Sequence, residues 1–363
     1  MEELLDTPYE LTEAQIEEFV QNGVLVVRGV FPDAVVQRTR QELHTYLATQ
    51  GVSDWQALSA PGDAEAMRAL SSTKGAGGVL DVFYQPFQLR LQLSRRLFSI
   101  LSQLWRHTYA LGRHITFDHA GDRRGGENGA VEELFAHPFG QMDASRGIAY
   151  LDRICVRLPD TALPSGKRPM QRGLAPHLDC AGNALYKEDA QRWRPIQCFV
   201  PVPVPPFPLP HSLPLLLQLT PNSEADTGGF ECIKGFHRQF REYFETREAV
   251  CVGEFTRIRG DIVREMEHVP YEAGDVVLWD FRTPHANARR NHGATREVIY
   301  TGFLPPVPVN QRYAQEQLRR LRAGKRPVDQ WVEHDDDETE RRETVDLQRL
   351  RQCDTARMLL ALD

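Results

Sequence analysis

The stretch His177-Leu178-Asp179 determines how the rest of the chain is interpreted. Side chains in an extended strand repeat every two residues, so the imidazole of His177 and the carboxylate of Asp179 face the same side. Two such ligands and a distant histidine form a facial triad, which leaves open positions on a metal such as non-haem Fe(II). An H-x-D sequence also occurs by chance on surface loops. The metal hypothesis therefore depends on what the rest of the chain supplies.

The best candidate for the third ligand is His285. It follows residues 274–281, which are predicted to form a turn and a buried strand, and such a strand would deliver His285 to the mouth of a barrel. The alternative is a surface histidine after Pro284. The chain contains 12 histidines, so a chance candidate is easy to find.

Arg296 strengthens the metal interpretation. It stands eleven residues after His285, at the start of the next predicted strand. A tight connection between them would bring the guanidinium next to the metal, where it could bind a dicarboxylate through two parallel hydrogen bonds. The alternative for Arg296 is a surface ion pair, for example with Glu297.

Composition is that of an ordinary globular protein, with 363 residues, of which 41% are hydrophobic and 26% charged. The net charge of −7 argues against nonspecific binding to nucleic acid or anionic membranes. The N-terminus lacks a signal-peptide pattern, and the six scattered cysteines form no C-x-x-C pair. We therefore expect a cytoplasmic protein with a small-molecule substrate and no nucleic-acid or membrane partner. The sequence leaves the oligomeric state open.

One domain is expected over residues 1–363. Residues 1–145 are predicted to form a supporting region of helices and a strand, residues 146–306 the β core, and residues 307–363 a charged helical extension. Many short strands between Gly and Pro turns, with helices at both ends, predict a mainly β fold with two sheets and flanking helices. A Pro-rich insertion near residues 201–214 is predicted to be a stiff connection, because dense proline cannot donate to a sheet.

Local patterns predict individual elements. Thr12 with Gln15 fits a capping box, and Asn22-Gly23 fits the end of that helix. Pro32-Asp33 is predicted to begin a second helix, and residues 54–110 are predicted to be mainly helical. Strands are predicted at residues 24–27, 149–158, 196–200, 215–219, 276–279 and 298–303.

Most of residues 10–306 resemble the phytanoyl-CoA dioxygenase (PhyH-like) family of Fe(II)/2-oxoglutarate oxygenases. The most specific part is Gly274-Asp275 to His285, followed by Arg296 at the family's spacing. Residues 11–31 resemble the family's opening, and residues 229–237 its glycine-containing strand and turn. The sequence departs from the family where the turn reads Lys234-Gly235-Phe236-His237 instead of P-G-S-H.

The resemblance implies a double-stranded β-helix (jelly-roll or cupin-like) core with Fe(II), 2-oxoglutarate as cosubstrate, and O2. The implied reaction is hydroxylation of an unactivated C–H bond of a small-molecule or acyl-type substrate, with succinate and CO2 as coproducts. Asp179 keeps the carboxylate that halogenases lack, so hydroxylation is favoured over halogenation. The implied metal ligands and catalytic residues are His177, Asp179 and His285, and the implied cosubstrate-binding residues are Arg296, Trp193 and Asn287.

Two other classes of protein remain open. One is a non-catalytic cupin-like binding protein, and the other is a Zn-dependent hydrolase that uses the same His/Asp/His ligands. Both leave Arg296 without a role, so the oxygenase interpretation is preferred.

Overall fold

Two antiparallel β-sheets and the helices around them make up the part of the chain that the structure describes. The structure is a computed structural model that describes residues 5–54, 58, 60, 62–71, 75–116, 131–160, 173–181, 192–202, 225–247, 249–252, 255–293, 295–327 and 345–360. The strands are β1 (Val24–Val27), β2 (Val79–Leu80), β3 (Ile148–Ala149), β4 (Ile154–Arg157), β5 (His177–Leu178), β6 (Ile196–Pro201), β7 (Phe230–Cys232), β8 (Val250–Val252), β9 (Phe255–Arg257), β10 (Glu267–His268), β11 (Val276–Asp280), β12 (His285–Asn287) and β13 (Arg296–Leu304). The helices are α1 (Glu13–Asn22), α2 (Asp33–Thr49), α3 (Asp63–Ala69), α4 (Pro86–Gln92), α5 (Arg95–Arg106), α6 (Val131–Leu134), α7 (Phe236–Glu245), α8 (Pro308–Arg322), α9 (Leu347–Gln352) and α10 (Asp354–Leu360).

The larger sheet combines strands from distant parts of the chain. Its order is β1–β11–β6–β13–β4–β2, and β3 pairs with the C-terminal end of β13. The smaller sheet has the order β10–β7–β12–β5–β9–β8. Consecutive strands from β4 to β7 alternate between the two sheets, and so do β11, β12 and β13. The chain therefore crosses repeatedly from one sheet to the other.

Aromatic side chains pack the two sheets against each other. Phe199 of β6 lies 5.7 Å from Phe230 of β7, measured between ring centroids. Phe230 also lies 4.9 Å from Trp279 of β11. Both contacts join a strand of the larger sheet to a strand of the smaller one, so these rings form a core between the sheets.

The N-terminal elements form as their local sequence predicts. The Thr12 side chain accepts a hydrogen bond from Gln15 N–H, which completes a capping box before α1. Gly23 ends the helix with a φ of +65°, a conformation that favours glycine. A Cβ on Gly23 would also lie 2.5 Å from Nδ1 of His237. β1 then pairs with β11 at the edge of the larger sheet. The N-terminal region is thus built into the β core.

Strand β13 links the interior of the protein to helix α2 through neighbouring residues. Arg296 is 1% exposed and Glu297 is fully buried, and they lie on opposite faces of the strand. The Glu297 carboxylate accepts hydrogen bonds from Arg40 Nε at 2.6 Å and His44 Nε2 at 2.9 Å. Helix α2 therefore fixes the strand position from which Arg296 projects.

Several predicted elements are confirmed and others differ. The predicted strands at 24–27, 196–200, 276–279 and 298–303 are present. The strand predicted at 149–158 is two separate strands, β3 and β4, and the segment 54–110 contains β2 as well as helices. The short strands β8, β9 and β10 were not predicted, because each is stabilised by pairing with a distant strand or hairpin partner rather than by its own sequence pattern.

Other predictions fall outside the described residues. These are most of the Pro-rich insertion (203–214), the strand at 215–219 and the acidic run at 335–338. Within the described part of the chain, no helix combines the length and the apolar character that crossing a bilayer requires.

Candidate metal centre

His177 and His285 are brought together by strand pairing. They are direct partners across the antiparallel strands β5 and β12. Asp179 follows β5, two residues after His177. Its Oδ1 lies 3.5 Å from His177 Nε2, and its Oδ2 lies 3.6 Å from His285 Nε2. The three ligand atoms all lie within 4.8 Å of one another, which is the arrangement that the sequence predicted.

Backbone carbonyls orient both imidazoles. His177 Nδ1 lies 2.7 Å from the carbonyl oxygen of Ala175, and His285 Nδ1 lies 3.1 Å from that of Thr283. A carbonyl only accepts, so each Nδ1 carries the proton and each Nε2 has a lone pair for a metal. Burial, together with the charge of His285, lowers the pKa of His177 to about 4. His177 is therefore neutral at pH 7, as a metal ligand requires.

The Asp179 carboxylate is ionised although it is buried. Burial alone would raise its pKa, but the contacts with His285 and His177 and the nearby Arg194 guanidinium lower the pKa well below the usual range. Its Oδ1 atom is buried and has no hydrogen-bond partner within the described part of the chain. A buried carboxylate oxygen without a partner is costly, and a cation bound between the three side chains would remove that cost.

Aromatic rings pack around the two histidines. The Phe255 ring lies 4.9 Å from His177, and the Phe230 ring stacks on His285 at 5.8 Å. The Trp279 ring lies 5.1 Å from His285. These contacts hold the imidazoles in place and make part of their surroundings apolar, which strengthens electrostatic interactions at the site.

Arg296 lines the same pocket as the triad. Its Nε donates a hydrogen bond to the Tyr271 hydroxyl at 2.8 Å, and its Nη1 donates one to Cys155 Sγ at 3.2 Å. Its Nη2 is buried without a hydrogen-bond partner. Among the described residues, no carboxylate pairs with this guanidinium. An isolated buried cation is unfavourable, so the site is suited to an anion.

Asn287, which was expected to bind the cosubstrate, also lines the pocket. Its Nδ2 is buried and lacks a hydrogen-bond partner, like the Nη2 of Arg296. Two unsatisfied donors thus accompany the unsatisfied oxygen of Asp179. The complete set of described lining residues is Val79, Tyr150, Asp152, Arg153, Leu174, His177, Asp179, Arg194, Cys198, Phe230, Trp279, His285, Asn287, Arg296 and Tyr300.

Trp193, which was expected beside the cosubstrate, is not among the described lining residues. Its ring lies 4.4 Å from His137 and 4.8 Å from Phe139 in an aromatic cluster. The adjacent residue, Arg194, lines the pocket instead. The two adjacent side chains therefore lie in different surroundings, one in the aromatic cluster and the other in the pocket.

Sequence reasoning missed Arg194 and three residues near it in the pocket, Tyr150, Asp152 and Arg153. Arg194 lies two residues before the predicted strand at 196–200, and the other three lie near the start of the segment predicted as the strand 149–158. That position was the available signal, because residues at strand ends commonly line the mouth of a β fold. The sequence alone did not indicate which strand ends meet.

A sequence model of the Gig2-like family matches residues 256–361, which is less than a third of the 363-residue chain. The matched segment includes His285 and Arg296 but not His177 or Asp179. No curated protein matches the chain.

Three solved structures are similar over most of the chain. A hypothetical protein from Escherichia coli has a TM-score of 0.61 and 16% identity, over 97% of this chain and 82% of its own. A proposed oxidoreductase from Salmonella typhimurium LT2 has a TM-score of 0.60 and 16% identity, over 96% of this chain and 82% of its own. The GlcNAc-inducible gene 2 protein of Candida albicans has a TM-score of 0.63 and 12% identity, over 97% of this chain and 77% of its own.

Enzymes that depend on 2-oxoglutarate are more distant structural neighbours. They include a non-heme alpha-ketoglutarate-dependent carbocyclase from nogalamycin biosynthesis, with a TM-score of 0.43. That level of similarity carries no argument about activity. At identities of 12% to 16%, the three stronger matches establish only the fold. This chain has antiparallel sheets surrounded by helices. His177, Asp179 and His285 form a candidate metal site within that fold.

Proposed function

We propose that the protein is an Fe(II)- and 2-oxoglutarate-dependent oxygenase that hydroxylates an unactivated C–H bond of a small molecule. One observation carries the proposal: a His-Asp-His ligand set and a buried guanidinium, which has no acidic partner among the described residues, line the same pocket. The ligand set alone would also suit other divalent metals. The arginine adds the requirement for an anion beside the metal.

The residues fit the metal. Two neutral imidazole nitrogens and one carboxylate form the 2-His-1-carboxylate set that is typical of non-haem Fe(II). The protons on Nδ1 of His177 and His285 are held by backbone carbonyls, which keeps each Nε2 lone pair available. Asp179 supplies the negative charge, and its presence favours hydroxylation over halogenation.

The residues near Arg296 fit a dicarboxylate cosubstrate. The Tyr271 hydroxyl and Cys155 Sγ hold two of the three guanidinium nitrogens, so the buried Nη2 is the one that remains for a carboxylate. Asn287 Nδ2 offers a second donor in the same pocket. A carboxylate bound by Arg296 would compensate a buried charge for which the described part of the chain supplies no counter-ion.

An Fe(II) ion held by His177, Asp179 and His285 would supply the redox chemistry by which O2 converts 2-oxoglutarate to succinate and CO2 and the substrate C–H bond to an alcohol. The chain itself fixes the two imidazoles, keeps Asp179 ionised, and orients the anion through Arg296. Phe230, Phe255 and Trp279 make the surroundings partly apolar. A cupin-like binding protein or a Zn hydrolase would give Arg296 no function, so both are disfavoured.

The family and the finer fold are part of the proposal. We infer that the whole chain belongs with Gig2-like proteins, on the support of the match at residues 256–361. The resemblance to phytanoyl-CoA dioxygenases then reflects the shared metal and cosubstrate chemistry. The alternation of strands between sheets supports a double-stranded β-helix within one domain.

The test is succinate formation from 2-oxoglutarate in the presence of Fe(II) and O2. We expect slow succinate release without substrate, and none when Zn(II) replaces Fe(II). Wild-type protein that holds Fe(II) but neither binds nor decarboxylates 2-oxoglutarate would contradict the proposal. Hydrolysis of an ester or amide by the Zn(II) form would instead favour the hydrolase.

A further inference from the structure

A second group of charged side chains lines the pocket. It consists of Asp152, Arg153 and Arg194 together with Tyr150, and we call these four residues the polar wall. Their charged groups are largely removed from bulk water. The side chains of Asp152, Arg153 and Arg194 are 16%, 10% and 9% exposed, respectively. What they face is therefore mainly the pocket and one another.

Charges in the polar wall compensate one another. Arg194 Nη1 lies 3.1 Å from Asp152 Oδ2, and Arg194 Nη2 lies 3.9 Å from Asp179 Oδ2. Arg153 Nε lies 2.5 Å from Asp81 Oδ1 and Arg153 Nη1 lies 4.0 Å from Asp152 Oδ1. Acid and base thus alternate from Asp81 to the metal ligand Asp179. This differs from Arg296, which has no acidic partner among the described residues.

The polar wall is held rigidly. The Arg194 guanidinium lies 4.2 Å above the centre of the Tyr150 ring. Its stem crosses Gly302, where a Cβ would lie 3.3 Å from Arg194 Cδ. The backbone carbonyl of Asp152 accepts hydrogen bonds from Gln92 Nε2 at 2.9 Å and Gln88 Nε2 at 3.3 Å. The alternating charges are therefore fixed before any ligand binds.

This arrangement restricts what can bind there. A carboxylate near Arg194 would also face Asp152 and Asp179, and an ammonium would face Arg153 and Arg194, so a formal charge gains little. A long acyl chain would exclude water from the charged groups. It offers no hydrogen bonds in place of those to water, which is costly. A hydroxyl group both donates and accepts, so neighbouring hydroxyls match alternating Arg and Asp side chains.

We propose that the substrate is a neutral small molecule with several hydroxyl groups, of the polyol class, and that the polar wall binds it. The inference rests on the proposed function, which assigns Arg296 to the cosubstrate and leaves the polar wall to the substrate. A divalent metal and a dicarboxylate would together be neutral. Asp179 and Arg296 would balance each other, and the polar wall would add no net charge when Asp81 is included.

The test uses matched ligands in saturation-transfer NMR on the Zn(II)-loaded protein with 2-oxoglutarate. The probes are alditols of three to six carbons, the corresponding aldonates, the corresponding 1-amino-1-deoxyalditols, and fatty acids of four to eight carbons. We expect alditols to bind best. If aldonates or fatty acids bind best, or if no alditol binds, the inference is wrong.

One substitution should shift the binding preference from alditols toward aldonates. Asp152→Asn removes the acid between Arg153 and Arg194, so the aldonate-to-alditol affinity ratio should rise about tenfold or more, the effect of one charge-assisted hydrogen bond. The matched control is Glu316→Gln, because Glu316 also accepts from two arginines, Arg319 and Arg320, but on the surface helix α8. The control should leave the ratio unchanged. An unchanged ratio in folded Asp152→Asn would contradict the assignment of the polar wall.

The two proposals fail in different ways. Alditol binding without any 2-oxoglutarate decarboxylation by the Fe(II) form would overturn the oxygenase proposal and leave the polyol inference standing. Normal succinate release together with preferred binding of fatty acids would overturn the polyol inference alone.

Discussion

His177 and His285 face each other directly across β5 and β12, with their ring centroids 4.4 Å apart. The Asp179 carboxylate lies between them, with Oδ1 3.5 Å from His177 Nε2 and Oδ2 3.6 Å from His285 Nε2. Each Nδ1 is occupied by a carbonyl. The two Nε2 atoms therefore point to a common volume beside the Asp179 carboxylate, and the predictions for the metal site follow from this pairing.

Replacing any one of the three ligands should abolish tight metal binding. His177→Ala, Asp179→Ala and His285→Ala each remove a donor atom, so the loss should exceed the roughly 10- to 100-fold cost of removing a partner outside the ligand set. The measurement is metal content by mass spectrometry after dialysis against Fe(II) under argon. The control is His107→Ala, which removes an exposed histidine at the end of α5. A ligand variant with wild-type metal content would remove that residue from the site.

Arg296→Ala should leave the metal affinity nearly unchanged but weaken 2-oxoglutarate binding at least a hundredfold. Loss of one partner of a buried charge pair costs about 3–5 kcal/mol, and about 1.4 kcal/mol corresponds to a factor of ten. Arg296→Lys should restore only part of the affinity, since an ammonium keeps the charge but not the fork. The measurement is titration of the Fe(II)-loaded protein with 2-oxoglutarate under argon, followed by its visible charge-transfer absorption. Arg319→Ala on the surface of α8 is the control, and equal affinities for Arg296→Ala and wild type would remove the cosubstrate assignment.

The buried pair Asp280 and Arg282 should be critical for stability. The Asp280 carboxylate is fully buried and accepts hydrogen bonds from Arg282 and from the Tyr109 hydroxyl. Asp280→Ala would leave the guanidinium uncompensated and should lower the free energy of unfolding by about 3–5 kcal/mol. Urea denaturation provides the measurement. Asp261→Ala breaks the exposed pair with Arg264 and should change the unfolding free energy by less than about 1 kcal/mol, so similar losses in the two variants would contradict the argument.

Stability should decrease in mild acid, in part because of His237. Burial is the main cause that lowers the pKa of His237 to about 4, below the value near 6.5 that a histidine has in the unfolded chain. As the pH falls, the unfolded state takes up the proton first. The contribution to stability is therefore complete above about pH 6.5 and is lost as the pH falls toward 4, at about 1.4 kcal/mol per pH unit.

The measurement is the free energy of unfolding at several pH values between 7 and 5, in metal-free buffer. His237→Gln should reduce the pH dependence by the contribution of one group. Burial also lowers the pKa of His137 to about 4, so His137→Asn should have the same effect. Parallel curves for wild type and His237→Gln would show that this histidine is not the cause.

The parts of the structure that could be predicted depend on local spacing. Thr12 and Gly23 act on their own helix, and the spacing of His177 and Asp179 gives their common direction in an extended chain. The prediction that Arg296 lies near His285 needed only the length of the connection between them, and both residues line the same pocket. Each of these inferences uses residues that are close in sequence.

The features that could not be predicted depend on which distant segments of the chain meet. Trp193 was expected in the pocket and Arg194 was not, but the Trp193 ring packs against His137 and Phe139, and the adjacent Arg194 lines the pocket. The compensation of Arg153 by Asp81 joins residues that are 72 positions apart. No local pattern identifies such a partner, so the polar wall emerged only from the structure.

The strand order has a consequence for how the protein can be divided. The segment that the Gig2-like family matches, residues 256–361, contains β11, β12 and β13. Among the described strands, β11 pairs with β1 and β6, β12 pairs with β5 and β7, and β13 pairs with β3, β4 and β6. All of these partner strands precede residue 256. A shortened protein limited to that segment would expose unpaired strand edges and aggregate. The segment that matches the family model is thus much shorter than the length of chain that must be synthesised before this part of the protein can fold.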